Sequence, residues 1–130
     1  MIVVDASVIV EWLLRTPAGA LVGHRIVSHS ETLHAPHLLD IEIAQALKRY
    51  RRAGMLDNRR LEESLEDFVT LEIRRYPHTP LLTRVLELRD NVSAYDAVYV
   101  ALAESLNATL LTRDGKLASA PGHHARIQLV

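Results

Sequence analysis

The hydrophobic pattern of this chain changes period again and again, and that alternation limits the fold more than any other feature. Ile2-Val3-Val4 is a short, β-branched run that stops at Asp5, as in a strand buried on both faces. Residues 6–14 and 18–28 have helical character, the first stretch stopping before Thr16-Pro17. Thr32 to Ala35 reads as a short strand punctuated by Pro36. A stronger helix spans 37–53, with Leu39, Ile43, Leu47 and Tyr50 at helical spacing and Gly54 placed to end it. Asp57 is expected to cap a helix over 58–71 whose apolar stripe is Leu61, Leu65 and Phe68. A strand over 73–76, a helix over 80–89, and a helix over 94–106 with Ser93 as its N-cap follow. Thr109 to Thr112 and residues 127–130 are the last strands. Strands alternating with helices imply an α/β domain, with a mostly parallel central sheet of about four to five strands flanked by helices. The 130 residues suit one domain over 1–130, with no linker or repeat.

Composition narrows the chemistry. The formal net charge is −1, so affinity for a polyanion has to come from local clustering or from bound cations. With no cysteine, disulfides, thiolate zinc sites and cysteine nucleophiles are excluded, which fits a reducing compartment. The N-terminus has no basic segment before its apolar run and carries an acid at position five, so it does not read as a secretory signal. No apolar run approaches the roughly 18 residues that span a bilayer. The chain therefore reads as cytoplasmic, without a membrane, and complete from its first residue.

Most acids have ordinary explanations. Glu62, Glu63, Glu66 and Asp67 are expected to face water, Asp57 to cap a helix, and Glu104 to be a solvated helix residue. Four others are harder to dismiss. Asp5 ends one buried strand and Asp114 lies just past another, and in open parallel sheets ligands bind beyond the carboxyl ends of the strands. Taken singly, Asp5 could merely cap the next helix, and Asp114 could merely make a turn with Gly115. Glu42 has Leu38, Leu39, Gln45 and Ala46 as its helix-surface neighbours, so the acid borders an apolar face. Asp96 sits among Val92, Ser93, Tyr99 and Val100. A salt bridge to an arginine would explain Glu42, and the helix N-terminus would explain Asp96. All four explanations holding together is the harder case, because no Lys or Arg is patterned beside each acid. A divalent cation is the simplest partner, and an all-oxygen carboxylate set favours Mg²⁺ or Mn²⁺.

The seven histidines form no zinc signature, and His123-His124 reads as a surface loop. Lys48, Arg49, Arg51, Arg52, Arg59 and Arg60 form a basic cluster. It is either a solvated helix end or a phosphate track leading to the acids, with Arg51 and Arg52 as its candidates. Arg113 and Lys116 flank Asp114 and are candidate contacts to a polyanion. Ser7 and Thr112 place hydroxyls near the acids, either to orient water or as plain hydrogen-bonders at a helix start and a strand end.

Four segments carry a resemblance: Met1-Ile-Val-Val-Asp5-Ala-Ser7; His37-Leu-Leu-Asp-Ile-Glu42-Ile-Ala-Gln-Ala-Leu47; Ser93-Ala-Tyr-Asp96-Ala-Val-Tyr-Val-Ala-Leu-Ala-Glu104; and Leu111-Thr112-Arg-Asp114-Gly-Lys-Leu117. In this order, over essentially the whole chain, they resemble the PIN-domain family, and within it the VapC toxins of prokaryotic toxin–antitoxin pairs. The resemblance implies a Rossmann-like sheet with a helical clip and endoribonuclease activity dependent on Mg²⁺ or Mn²⁺. It also implies dimerisation and inhibition by a small VapB-like antitoxin. It makes Asp5, Glu42, Asp96 and Asp114 both the catalytic and the metal-binding residues. The chain departs from many relatives at Ala46, where they carry a polar residue one turn after the second acid. Two other readings compete. A phospho-acceptor signalling module also uses strand-end acids and Mg²⁺, but would want paired acids after the first strand. A catalytically silent RNA- or protein-binding domain would not need the complete acidic set.

Overall fold

The computed structural model describes residues 1–130. Strands β1 (Ile2–Val4), β2 (Leu33–Pro36), β3 (Ile73–Tyr76), β4 (Thr109–Thr112) and β5 (Arg126–Leu129) form one sheet in the order β3-β2-β1-β4-β5. Every pairing is parallel, with Val3 opposite both His34 and Leu110. The connections are helical: α1 (Ala6–Leu13) and α2 (Pro17–Ser28), α3 (Leu38–Arg52) and α4 (Asn58–Thr70), α5 (Leu82–Glu87) and α6 (Ala94–Leu106), and α7 (Gly115–Ser119). Contacts link α1 with α2, α3 and α4, and α5 with α6. That is the partition which right-handed crossovers produce when the chain runs outward to β3 and then returns to β4. The hairpin of α3 and α4 is the helical clip.

The central strands are apolar because both faces are covered. Ile2, Val3, Val4, Leu110 and Leu111 are essentially inaccessible. Strand β5, at the edge, is exposed except at the half-buried Ile127. The helix boundaries follow local chemistry. Asp57, Ser93 and Thr16 each accept a backbone N–H at a helix start. Gly54, at φ +76°, turns the chain out of α3. Gly19 lets α2 cross α1 at contact distance, since a Cβ there would lie 2.2 Å from the carbonyl oxygen of Glu11.

Four expectations need correction. The helix over 80–89 is a 3-10 turn at Thr79–Leu81 followed by the shorter α5. The turn at Asp114-Gly115 is the start of a helix, α7. Leu65 is half exposed, and the inward face of α4 instead carries Leu61, Ser64 and Phe68. Glu104 is not solvated: it pairs with Arg84 through two hydrogen bonds of 2.8 and 3.0 Å, and accepts the backbone N–H of His124 at 2.7 Å. That network ties the loop before β5 to α5 and α6, and it holds the Glu104 carboxyl below its usual range, chiefly through the hydrogen bonds from Arg84.

Candidate active site

The sheet order reverses beside β1, whose neighbours are β2 on one side and β4 on the other. Helices leave such a point in opposite directions and open a crevice beyond the carboxyl ends of the strands. Asp5 directly follows β1 and Asp114 follows β4 by two residues. Helix α3 follows β2 directly and α6 runs back to the start of β4, so both begin at that end, and the second turn of α3 and the first turn of α6 bring Glu42 and Asp96 there. The four acids are coupled through space. The charge of Asp96 acts on Asp5 and on Glu42, that of Asp5 on Glu42, and that of Asp114 on Asp96.

Asp5 is the buried member, 7% exposed. Its Oδ1 accepts from the Ser7 hydroxyl at 2.5 Å and from the Val8 N–H at 3.1 Å, and its Oδ2 accepts from the Thr112 hydroxyl. It caps α1, and capping is only part of its environment. The Ser7 Oγ accepts the Arg113 N–H at 3.0 Å, and the Thr112 Oγ1 accepts the Asp114 N–H at 3.0 Å. Both hydroxyl protons are therefore committed to Asp5. Burial still pushes the Asp5 carboxyl above its ordinary range, against the lowering effect of these donors.

Glu42 makes no salt bridge. Its Oε1 accepts from the Tyr99 hydroxyl at 2.6 Å. Burial raises its carboxyl, Tyr99 opposes that shift, and Asp96 and Asp5 add to it. Tyr99 is itself 2% exposed, and burial followed by the Glu42 contact drives its phenol upward, so it stays a donor. Tyr99 is not among the candidates that the sequence singles out. Its spacing from Asp96 within α6 carried the signal, since i and i+3 share a helix face. Ala46, one turn after Glu42, supplies no polar support, and the support comes from α6 instead. Asp96 lies in the first turn of α6, half-buried, with burial and then the Asp114 charge raising its carboxyl. The Oδ1 of Asp114 accepts from the N–H groups of Lys116 at 2.9 Å and Leu117 at 3.3 Å.

None of the four acids is neutralised by a basic side chain. The ion pairs of the fold use Glu11, Glu31, Asp40, Glu63, Asp67, Glu87 and Glu104. The donor set is all oxygen, which fits Mg²⁺ or Mn²⁺. No three of these carboxylates close into one tight ligand cage as they stand.

The basic residues divide by face. Arg49 follows Glu42 by two helical turns and opens on the same side, into a groove of about 570 Å³. Arg51 and Arg52 lie against α4, beside Lys48, Leu61 and Leu65, and the Arg51 Nε donates to Asn58 at 2.5 Å. Arg113 is held by Glu11 at 3.5 Å and by the Val130 carbonyl at 3.0 Å. Lys116 is exposed and forms no ion pair.

The sequence model of the PIN domain family matches residues 2–122. Ribonuclease VapC12 of Mycobacterium tuberculosis is 41% identical over 130 residues, covering 100% of this chain and 99% of that protein. Ribonuclease VapC9 of the same organism is 45% identical over 121 residues, covering 91% and 89% of the two chains. A chain in the crystal structure of VapBC2 from Rickettsia felis superposes with a TM-score of 0.73 at 14% identity, covering 100% of this chain and 99% of that one. A sheet of this order, carrying these acids at its reversal point, thus has full-length relatives at high identity, and the chain belongs to the PIN-domain family, in its VapC group.

Proposed function

We propose that this chain is the toxin of a type II toxin–antitoxin pair and acts as a Mg²⁺- or Mn²⁺-dependent endoribonuclease. The observation that carries the proposal is the placement of Asp5 and Asp114 just past β1 and β4, and of Glu42 and Asp96 in the opening turns of α3 and α6, with none of the four in an ion pair. VapC relatives named as ribonucleases support it.

Asp5, Glu42, Asp96 and Asp114 would hold the ion, directly or through water. A divalent ion held there supplies a Lewis acid that eases deprotonation of water and stabilises charge on the phosphate and leaving oxygens. The protein's part is positioning. Ser7, Thr112 and the Val8 amide fix Asp5 in one orientation, and Tyr99 does the same for Glu42. Lys116 is free to meet a substrate phosphate, whereas Arg113 must first leave Glu11. Cleavage leaves 5′-phosphate and 3′-hydroxyl ends. The natural assembly is a homodimer inhibited by a small VapB-like antitoxin in the cytoplasm. No helix of the chain is long and apolar enough to cross a membrane.

Sequencing RNA 5′ ends after brief expression tests the proposal, with Asp96→Asn as control. New 5′-phosphate ends at a shared sequence in the wild type alone support it. Identical end profiles for the two proteins contradict it.

Two further outcomes are expected. Tyr99→Phe removes the donor that holds Glu42 and should lower activity or metal affinity about 10- to 100-fold, measured by cleavage rates across a Mn²⁺ titration. Arg51 and Arg52 lie on the α4 side of α3, away from Glu42, and would meet RNA only where the strand wraps round the helix end. Neutralising both should reduce the log–log salt slope of RNA binding by about 0.7 per lost contact. An unchanged slope would confine the pair to the surface between α3 and α4.

A further inference from the structure

We propose that the groove between α1 and α3 receives an unstacked nucleobase of the RNA, next to the scissile phosphate. The proposal rests on the ribonuclease reading of the four acids and adds how the substrate strand is gripped. One wall of the groove is a single stripe of α3: Leu38, Ile41, Glu42, Gln45, Arg49 and Tyr50. At 1.5 Å per residue the stripe runs about 18 Å. Ser7 and Val10 of α1 form the facing wall, and Tyr95 of α6 stands at the mouth. Ser7 and Glu42 are thus shared between groove and acids, so a strand whose phosphate lies at the acids has its neighbouring nucleotide here.

The contents of the groove match a base better than a plain apolar ligand. Its volume, about 570 Å³, is that of an ordinary small-ligand pocket. Its floor is apolar, and Ala46, 6% exposed, is short enough to leave it open. Tyr95 is 66% exposed, so much of its ring is open to a partner, although it also borders a small apolar hollow with Leu38, Leu82 and Val98. Tyr50 lies deeper, with the Arg49 guanidinium 6.0 Å from its ring centre. The side chains of Arg49 and Gln45 make no hydrogen bond or ion pair within the protein, whereas Arg113, at the same groove, is already held by Glu11 and Val130. Aromatic faces, a free amide and a free guanidinium are the groups that grip splayed RNA bases: the rings stack, the amide reads an edge, and the cation meets the backbone. Arg49 also lets a polyanion approach a cluster of carboxylates that would otherwise repel it.

The test uses a single-stranded RNA oligonucleotide pool, randomised around the cut, with Mn²⁺. The wild type should prefer one base at a position flanking the cut. Gln45→Ala should flatten that preference and leave the other positions unchanged. Tyr95→Ala should weaken RNA binding about tenfold or more, and Tyr95→Phe should restore it. Binding is read separately, by fluorescence anisotropy of a labelled oligonucleotide on Asp96→Asn protein, which requires no cleavage. If the wild type cleaves but Gln45→Ala and Tyr95→Ala change neither preference nor affinity, the groove is not a base site. That holds whether or not the same changes weaken the grip of an antitoxin. If the wild type does not cleave, the reading of the acids fails, and the nucleobase proposal is overturned with it.

Discussion

Replacing Asp5 or Asp96 with asparagine is expected to abolish growth arrest on expression and to slow RNA cleavage more than a hundredfold. Each change keeps the shape of the side chain and removes one charge from the group that would hold the cation. A loss of roughly 3 kcal/mol in transition-state stabilisation gives that factor. The fold should survive both changes. Asparagine is as good an N-cap as aspartate, so residue 5 can still accept the Val8 N–H. Its amide would then face the Thr112 hydroxyl, which has to turn. Asp96 is half-buried and pairs with no basic side chain, so its neutral form is easily accommodated. Rates measured on purified proteins of matched circular dichroism check the result. Full activity in both variants would remove these acids from the chemistry.

The second large effect is on stability, and its sign follows from the carboxyl shifts. Asp5, Glu42 and Asp96 have folded-state values raised above their ordinary ones, mainly by burial. The folded protein therefore binds these protons more tightly than the unfolded chain does. The penalty is absent below the unfolded carboxylate range, grows as pH rises through that range and up to the folded values, and is complete above them. Glu31 and Glu104 are shifted the other way, by hydrogen bonds from the N-terminal amine and from Arg84, so their contribution is gained lower on the pH scale. In chelator, stability should fall as pH climbs above the ordinary carboxylate range. A cation that binds only the folded site reverses the loss, by about 2.7 kcal/mol at a hundredfold excess over its dissociation constant. Asp96→Asn should melt higher than the wild type in chelator and respond less to Mn²⁺. Melting curves of both proteins from pH 4 to pH 8, with and without Mn²⁺, check this. A wild type insensitive to metal, with a variant no more stable in chelator, would mean that the acids do not act as one group.

The strands and their terminal acids were legible because a strand buried on both faces writes itself as an apolar run, and a charge that stops such a run stands out. Asp5 and Asp114 stand out as candidates that way. Glu42 and Asp96 stand out as acids bordering apolar helix faces. What the sequence hid is mostly long-range. The hydroxyls of Ser7 and Thr112 meet on one carboxylate from positions 105 residues apart, and the Tyr99–Glu42 contact spans 57 residues. Nothing in a local pattern pairs Glu104 with Arg84, because the partner lies on a different helix. Helix α7 is too short to show a period, and its Asp-Gly start imitates a turn. Leu65 fits the apolar stripe of α4 by spacing but falls at its edge, where the helix opens on Lys48 and Arg51. The division of the basic cluster was readable in principle. Arg49 lies seven residues after Glu42, almost two full turns, while Arg51 at nine falls on the opposite face.

The most direct measurement of the central claim is cleavage of a labelled single-stranded RNA pool by the purified protein, with Mn²⁺ and with chelator, beside Asp96→Asn. Cleavage by the wild type in Mn²⁺ alone, with 5′-phosphate products and none above background from the variant, is the expected result. Cleavage that persists in chelator, or that Asp96→Asn performs equally well, would contradict it.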